Sequence, residues 1–108
     1  MLNGLRIHNR FQTALITYGD VSYVEQVNRK IIVHTVCDEY WEYCSMEDML
    51  MRLDGRMHRC HHSLAVNMDI IRSVSAARVE LADGRVLPMC HDAIRRTKKA
   101  WIKHISND

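Results

Sequence analysis

The sequence predicts a mainly β fold with one short helix and one C-terminal helix. Short runs of alternating or β-branched residues fill the first two thirds of the 108-residue chain, which favours strands there. Two segments, one near the middle and one at the end, instead place apolar residues at helical spacing. A chain of this length buries one ordinary core, so residues 1–108 are expected to form a single domain.

Five strands are predicted in the first half of the chain, separated by short polar segments. They cover residues 5–8, 13–17, 21–27, 31–36 and 40–44. Asn28, Arg29 and Lys30 precede the fourth run, and residues 37–39 separate it from the fifth. The fourth and fifth runs are therefore predicted to pair as a hairpin, with an exposed basic loop at its start.

The short helix has a clear N-terminal signal. Ser45 stands three residues before Asp48, which is the spacing of a capping box. Four apolar residues follow at helical spacing: Met46, Met49, Leu50 and Leu53. Met46 and Met49 are expected to fill the core. Met51 is expected to face outward, and Gly55 is expected to end the helix.

Residues 57–67 are predicted to form a loop that leads into a short strand, because a run of polar donors is followed by an apolar tail. Further on, Asp83-Gly84 separates two strand-like runs, 78–82 and 85–89, and both residues tolerate the positive φ of a two-residue hairpin turn. Pro88 places the second of these strands at a sheet edge or near its own end.

The C-terminal helix is predicted to run from about residue 92 to residue 104. One side of it carries the expected buried stripe: Ile94, Thr97, Trp101, Ile102 and Ile105. Residues 94–104 carry five Lys or Arg and no acid, whereas residues 37–54 carry six acids and one base. The net charge is only +2, so a basic pole and an acidic pole are expected rather than a uniformly basic surface.

Composition also argues against several protein classes. No apolar run approaches the roughly 20 residues of a membrane-spanning helix, so no membrane insertion is expected. The first ten residues lack the apolar core of a signal peptide, and the four cysteines are too far apart for a small disulfide scaffold. A cytoplasmic protein with reduced thiols is therefore expected.

Polar donors are concentrated between residues 57 and 67, at Arg59, His61, His62 and Ser63. A planar Arg can clamp a phosphate or a guanine, and His or Ser can hydrogen-bond to a base edge or to a backbone oxygen. The alternative is a solvated polar loop, which composition alone favours.

Metal binding and catalysis are less well supported. Six potential metal ligands lie in or near this segment: His58, Cys60, His61, His62, Cys90 and His91. No C-x-x-C pair occurs, and neighbouring His61 and His62 would point apart on a strand, so no metal and no other cofactor is expected. Sequence neighbours such as Cys60 and His61 do not supply the separated partners that catalysis needs, so an enzyme is not expected either.

Residues 57–67, MHRCHHSLAVN, resemble the signature of the LytTR-type DNA-binding domain of bacterial response regulators, in which a large apolar residue precedes R-C-H-x-S-x-x-V-N. Residues 68–74 nearly reproduce the family's downstream hydrophobic-I-x-x-I pair, and the acidic-Gly turn occurs at Asp83-Gly84 with Leu87-Pro88 after it. Upstream, residues 20–31 resemble its D-I-x-Y-I-E-x-x-x-x-x-I pattern. The resemblance covers nearly the whole chain.

The resemblance implies a LytTR-like fold of small, packed antiparallel sheets with one short helix and a C-terminal helix. It also implies sequence-specific binding of double-stranded DNA for transcription regulation, by loops inserted into successive grooves. Family members usually bind as pairs on repeated half-sites, so the resemblance implies a homodimer or a dimer induced by DNA. Most members carry a receiver domain, which residues 1–108 lack; this leaves two alternatives, a segment of a longer regulator or a short protein controlled by a separate regulatory protein.

Carried over by position, the resemblance implies that Arg59 and His62 face DNA. Ser63 belongs to the same DNA-reading loop. His61, at the position of the motif His, and Asn67 can either brace that loop by hydrogen bonds or contact DNA.

Two further zones complete the implied DNA-binding surface. Residues 28–30 correspond to a second DNA-reading loop of the family. The S-R-R-x sequence that usually precedes the final helix is here Cys90-His91-Asp92-Ala93, so both arginines are absent and an acid is present. Arg95 and Arg96, one turn later, are candidates to replace that charge at phosphates. This departure and the low net charge leave an alternative open, a protein-interaction module of the same fold with weak or lost DNA binding.

Overall fold

The computed structural model describes residues 4–106. Within these residues the chain forms ten β-strands, two α-helices and two short 3-10 helices. The strands are β1 (Gly4–Asn9), β2 (Gln12–Thr17), β3 (Tyr23–Val27), β4 (Lys30–His34), β5 (Glu39–Tyr43), β6 (Met57–His61), β7 (Leu64–Asn67), β8 (Ile71–Val74), β9 (Arg78–Leu81) and β10 (Val86–Pro88). The α-helices are α1 (Met46–Met51) and α2 (His91–Ser106), and the 3-10 helices are Tyr18–Asp20 and Met68–Ile70.

The strands pair in three small antiparallel sheets. The largest contains β5, β4, β3, β7 and β6 side by side in that order; β10, β9 and β8 form the second, and β1 with β2 forms a hairpin. The predicted mainly β fold of small sheets with one short helix and a C-terminal helix is thus confirmed. The five strands predicted in the first half of the chain correspond to β1 through β5.

The five-stranded sheet separates two hydrophobic clusters. On one face, Val24 of β3 and Ile31 of β4 pack with the β1–β2 hairpin and with α1. On the other face, Leu64 and Val66 of β7 pack with the three-stranded sheet and with α2. Successive side chains of a strand point to opposite faces, and β7 is buried along its whole length because both of its faces are covered. β7 is therefore the most enclosed strand of this sheet.

Helix α1 begins as predicted but ends earlier. The Ser45 hydroxyl accepts a hydrogen bond from the Asp48 amide at 3.0 Å, so the predicted cap is confirmed. The helix was expected to continue past Leu53 to a stop at Gly55, which is wrong: it ends at Met51. The Leu53 amide donates to the Leu50 carbonyl, a bond that tightens the last turn without a left-handed glycine. Met51 is 85% exposed, as predicted.

The predicted loop at residues 57–67 is instead a β-hairpin. β6 and β7 pair antiparallel, and their register shifts at a bulge between Arg59 and His61. His62 and Ser63 make the turn that joins the two strands. Only Cys60 among the residues of β6 is fully buried, and most of the others are polar. The segment therefore lacks the alternation of apolar and polar residues that predicts a strand.

The β9–β10 connection also differs from the prediction. Residues 82–84 form a three-residue loop, closed by a hydrogen bond from the Leu81 amide to the Arg85 carbonyl at 2.9 Å. Gly84 has a φ of +93°, whereas Asp83 does not have a positive φ. Such a loop, with its last residue in the left-handed region, is the common alternative to a two-residue turn. Pro88 ends β10, an edge strand, in agreement with its predicted position.

Helix α2 buries a narrower stripe than predicted. Ile94 and Thr97 are buried and Trp101 packs against the second cluster, as expected. Ile102 and Ile105 are each 48% exposed, so their predicted burial is wrong. Ile102 follows Trp101 directly and so turns about 100° away from the packed side, while Ile105 lies in the last turn, beyond the residues that contact the cluster.

All four cysteines are free thiols. Neither α-helix, within residues 4–106, is long and apolar enough to cross a membrane.

Candidate nucleic-acid interface

Two turns that the sequence places far apart lie side by side at one end of the five-stranded sheet. β3 pairs antiparallel with β4, and Glu25 of β3 stands opposite Leu64 of β7. The β3–β4 turn and the β6–β7 turn must therefore emerge at the same end. A hydrogen bond from the Gln26 amide, near the end of β3, to the Ser63 carbonyl, at 2.9 Å, ties the β6–β7 turn to the strand that leads into the β3–β4 turn. The two predicted DNA-reading segments thus form one surface.

The β3–β4 turn presents Asn28 and Arg29 at its tip, and both are exposed. Asn28 has a φ of +58°, a left-handed conformation that Asn adopts more readily than most residues. Lys30 was predicted in the loop but is the first residue of β4, and its ammonium nitrogen lies 4.4 Å from the ring centroid of Trp41. This cation–π contact holds Lys30 at the side of the sheet, behind the tip.

The β6–β7 turn is braced by His61. The Ser63 amide lies 3.2 Å from Nδ1 of His61 and donates to it, which requires a neutral imidazole with its proton on the other nitrogen. Burial lowers the pKa of His61, and the positive charges of His62, Arg96 and Arg59 lower it further. The neutral form that the brace needs is therefore favoured at neutral pH. His62 is exposed at the tip of the turn.

The guanidinium of Arg59 makes two intramolecular contacts. One terminal nitrogen lies 2.8 Å from Oε2 of Glu47 in α1, and the other donates to the His62 carbonyl at 2.8 Å. Its Nε is buried and has no hydrogen-bond partner among the residues described. The structure thus places Arg59 beneath the turn, where it links α1 to His62, and not at the exposed tip.

Asn67 lies away from the candidate surface. It is fully buried at the far end of β7, where its amide donates to the Val21 carbonyl at 2.9 Å and its side-chain oxygen accepts from the Asp69 amide at 2.9 Å. The side chain therefore ties β7 to residue 21 and to the 3-10 helix Met68–Ile70, and its hydrogen bonds do not reach the β6–β7 turn that it was predicted to brace or to extend toward DNA.

The first turns of α2 flank the β6–β7 turn. A guanidinium nitrogen of Arg96 donates to the Cys60 carbonyl at 2.9 Å, whereas His104, near the other end of the helix, lies 2.6 Å from Asp69. Because Asp69 follows the far end of β7, the helix points its N-terminal end toward the two turns. Arg95 is exposed but pairs with Asp92 at 3.2 Å, so the acid that replaces the family arginines neutralises one of the candidate substitutes.

The cysteine of this segment is poorly suited to nucleophilic chemistry. Burial raises the pKa of the Cys60 thiol to about 11, so little thiolate is present at neutral pH. Across residues 4–106, no group of three His, Cys, Asp or Glu side chains is arranged to hold a metal ion. What the surface offers is a set of hydrogen-bond donors and cations on two braced turns and one helix end.

The sequence does not predict the contacts that two residues of this surface make. Glu47 was counted only as part of the acidic segment, yet it holds Arg59. Gln26 contributes its backbone amide, which no residue type reveals. The strand register could have found Gln26, but the contact of Glu47 depends on how α1 packs.

Comparison with known proteins agrees with this architecture. Residues 12–102 match the family model of the LytTr DNA-binding domain. A solved structure from Bacillus cereus, described as the LytTr DNA-binding domain of a methyl-accepting/DNA response regulator, has the same fold: the TM-score is 0.77 at 16% identity, and the match covers 93% of this chain and 97% of that chain. No curated protein matches the chain by sequence. The chain belongs to the LytTr family of DNA-binding domains.

Proposed function

We propose that this protein binds specific sequences of double-stranded DNA and thereby regulates transcription in a bacterial cytoplasm. The observation that carries the proposal is the hydrogen bond from the Gln26 amide, near the end of β3, to the Ser63 carbonyl, which holds the β6–β7 turn beside the strand that leads into the β3–β4 turn. A surface held in this way can enter successive grooves on one side of a duplex without reorganising.

Sequence would be read by the side chains of the two turns, of which Asn28, Arg29 and His62 are exposed and Ser63 is half-buried. Arg29 can make two hydrogen bonds to a guanine in the major groove, and Asn28 can pair in the same manner with an adenine. His62 and Ser63 can hydrogen-bond to base edges or to phosphate oxygens. His61 would hold the turn, because its ring nitrogen is already occupied by the Ser63 amide.

Phosphate contacts would come from cations beside the tips. Lys30, held by Trp41, and Arg96, held by the Cys60 carbonyl, have fixed positions next to the two turns. Arg95 can contribute only in competition with Asp92. With a net charge of only +2, the protein should bind random DNA weakly, so most of its affinity must come from these local contacts.

The proposal extends to assembly. Two copies would occupy repeated half-sites as a homodimer on DNA, and the input signal would come from another domain or from a separate regulatory protein. Neither step requires catalysis, a metal or another cofactor.

Fluorescence anisotropy with a random-sequence duplex at about 50 and 200 mM salt tests the proposal. Binding at the lower salt that weakens steeply at the higher salt is the expected result. Lys103→Ala is the control: it removes a cation near the end of α2 that lies away from the two turns, and it should change the affinity for the duplex only slightly. Absence of binding even at the lower salt would rule out DNA as the partner and would favour a protein-interaction module. The observation that supports this alternative is the ion pair between Arg95 and Asp92, which neutralises a cation of the surface.

A further inference from the structure

The guanidinium of Arg59, a residue of β6, connects the β6–β7 turn to α1, which lies outside the sheet. Arg59 bridges the Glu47 carboxylate and the His62 carbonyl, with both distances at 2.8 Å. The other contacts of the turn come from β3, through Gln26, and from within the hairpin, through His61. Arg59 therefore provides the link between the turn and α1.

Glu47 is suited to fix this guanidinium because its helix is firmly seated. Met46 and Met49 of α1 are fully buried, and the Ser45 cap sets the start of the helix. The packing of this helix fixes the backbone position of Glu47, and its exposed side chain reaches Arg59 from there. The hydrogen bond from Arg59 lowers the pKa of Glu47, so the carboxylate stays charged throughout the neutral range.

Arg59 in turn needs a partner. Its side chain is only 33% exposed, and its Nε is buried without a hydrogen bond among the residues described. An incompletely hydrated cation is costly unless a nearby carboxylate and acceptor satisfy it. Glu47 supplies the carboxylate and His62 supplies the carbonyl acceptor. Each terminal nitrogen of the guanidinium therefore already has an acceptor within the protein.

We propose that Glu47 and Arg59 form a clamp that holds the β6–β7 turn in the shape required for DNA recognition. Glu47 is then a positioning residue, and Arg59 acts on recognition through the turn instead of by touching DNA. The inference rests on the proposed function and assigns a role to α1, which otherwise lies outside the DNA-binding surface.

The clamp makes a prediction opposite in sign to simple electrostatics. Removing an acid near a polyanion normally strengthens binding, because repulsion is relieved. If Glu47 instead positions Arg59, its removal frees the turn and weakens binding to the preferred sequence. The direction of the change therefore separates the two ideas.

The experiment compares wild type, Glu47→Ala, Arg59→Ala and the double variant. The probe is a duplex enriched by the wild-type protein from a random pool, and affinity is measured by anisotropy at several salt concentrations. Each single variant should lose roughly fivefold in affinity for this duplex, and the double variant should lose little more, as expected for residues that act as one unit. The salt dependence of Arg59→Ala should match wild type, since no phosphate contact is lost.

Two further variants make the comparison sharper. Glu47→Gln keeps a side-chain oxygen that can accept from Arg59 and should restore part of the affinity. Asp48→Asn removes the neighbouring carboxylate of the same helical turn and should not weaken binding. Hydrogen exchange of the residue 62–64 amides, without DNA, should be faster in Glu47→Ala than in wild type, while the melting temperature changes little.

Several results would overturn the clamp. Tighter binding by Glu47→Ala would show that Glu47 withholds Arg59 from DNA. Additive losses, or a salt slope reduced by about one in Arg59→Ala, would make Arg59 an independent DNA contact. Unchanged affinity in Glu47→Ala would also refute it. A wild-type protein that binds no duplex would instead refute the proposed function itself, so the two failures are distinguishable.

Discussion

Asp92 offers the most quantitative test of the proposed DNA-binding surface. Its carboxylate is exposed in the first turn of α2 and lies 3.2 Å from Arg95, so it repels phosphate and also neutralises a nearby cation. Asp92→Arg removes this acid, adds a cation and frees Arg95. Up to two additional phosphate contacts become available as a result.

The expected magnitude follows from counterion release. Each phosphate contact changes the slope of log K against log salt by about 0.9, so two contacts steepen it by about 1.8. When the salt concentration falls fourfold, from 200 to 50 mM, the affinity of wild type rises by some factor. The corresponding factor for Asp92→Arg should be about twelve times larger. Asp92→Asn, which only frees Arg95, should gain about 3.5-fold more.

Anisotropy titrations over this salt range measure both slopes directly. Asp38→Arg is the matched control, because it makes the same change of charge in the β4–β5 connection, at the opposite end of the sheet from the two turns. Thermal unfolding must accompany the titrations, since an acid in the first helical turn stabilises a helix by up to about 1 kcal/mol. If neither variant at position 92 steepens the slope more than Asp38→Arg does, the N-terminal end of α2 is not near DNA.

Two other predictions concern the shape of the turns. Asn28→Val should lower the free energy of unfolding by about 1–2 kcal/mol, because a β-branched residue resists a φ of +58°, whereas Asn28→Gly should unfold like wild type; equal stability of the Val and Gly variants would contradict the left-handed geometry. The folded-state pKa of His61 is lowered, so the unfolded chain binds more protons and the contribution of neutral His61 to stability is lost as pH falls below about 6.5. Chemical denaturation between pH 5 and 7.5 should show a smaller acid loss in His61→Gln than in wild type, and parallel profiles would contradict the brace.

The elements that the sequence predicts correctly are those whose signals are local. The strands that became β1 to β5 alternate in polarity, and Ser45 caps a helix through an amide three residues away. The errors arise where tertiary packing decides. Cys60 is the single fully buried residue of β6, which left too little periodicity to reveal a strand. Ile105 matches a helical stripe but extends past the surface that the stripe covers.

The candidate site shows the same division. The family signature identifies the turn that carries His62 and Ser63, and the basic residues mark the turn that carries Arg29. Their proximity depends on the pairing of β3 with both β4 and β7, which no short pattern encodes. The contacts of Arg59 also lay beyond sequence reasoning, because Glu47 belongs to a different element and approaches only when α1 packs on the sheet.

The central claim is that the two adjacent turns read DNA sequence, and a comparison of affinities tests it most directly. Arg29→Ala, His62→Ala and the control Lys103→Ala are each titrated with the enriched duplex and with a random duplex of equal length. The account predicts that Arg29→Ala and His62→Ala lose more affinity for the enriched duplex than for the random one, by about 1–3 kcal/mol where a bidentate base contact is removed, while Lys103→Ala keeps the wild-type ratio. The account would be contradicted if Arg29→Ala and His62→Ala lost equal affinity for both duplexes, so that the ratio of the affinity for the enriched duplex to that for the random duplex stayed at the wild-type value.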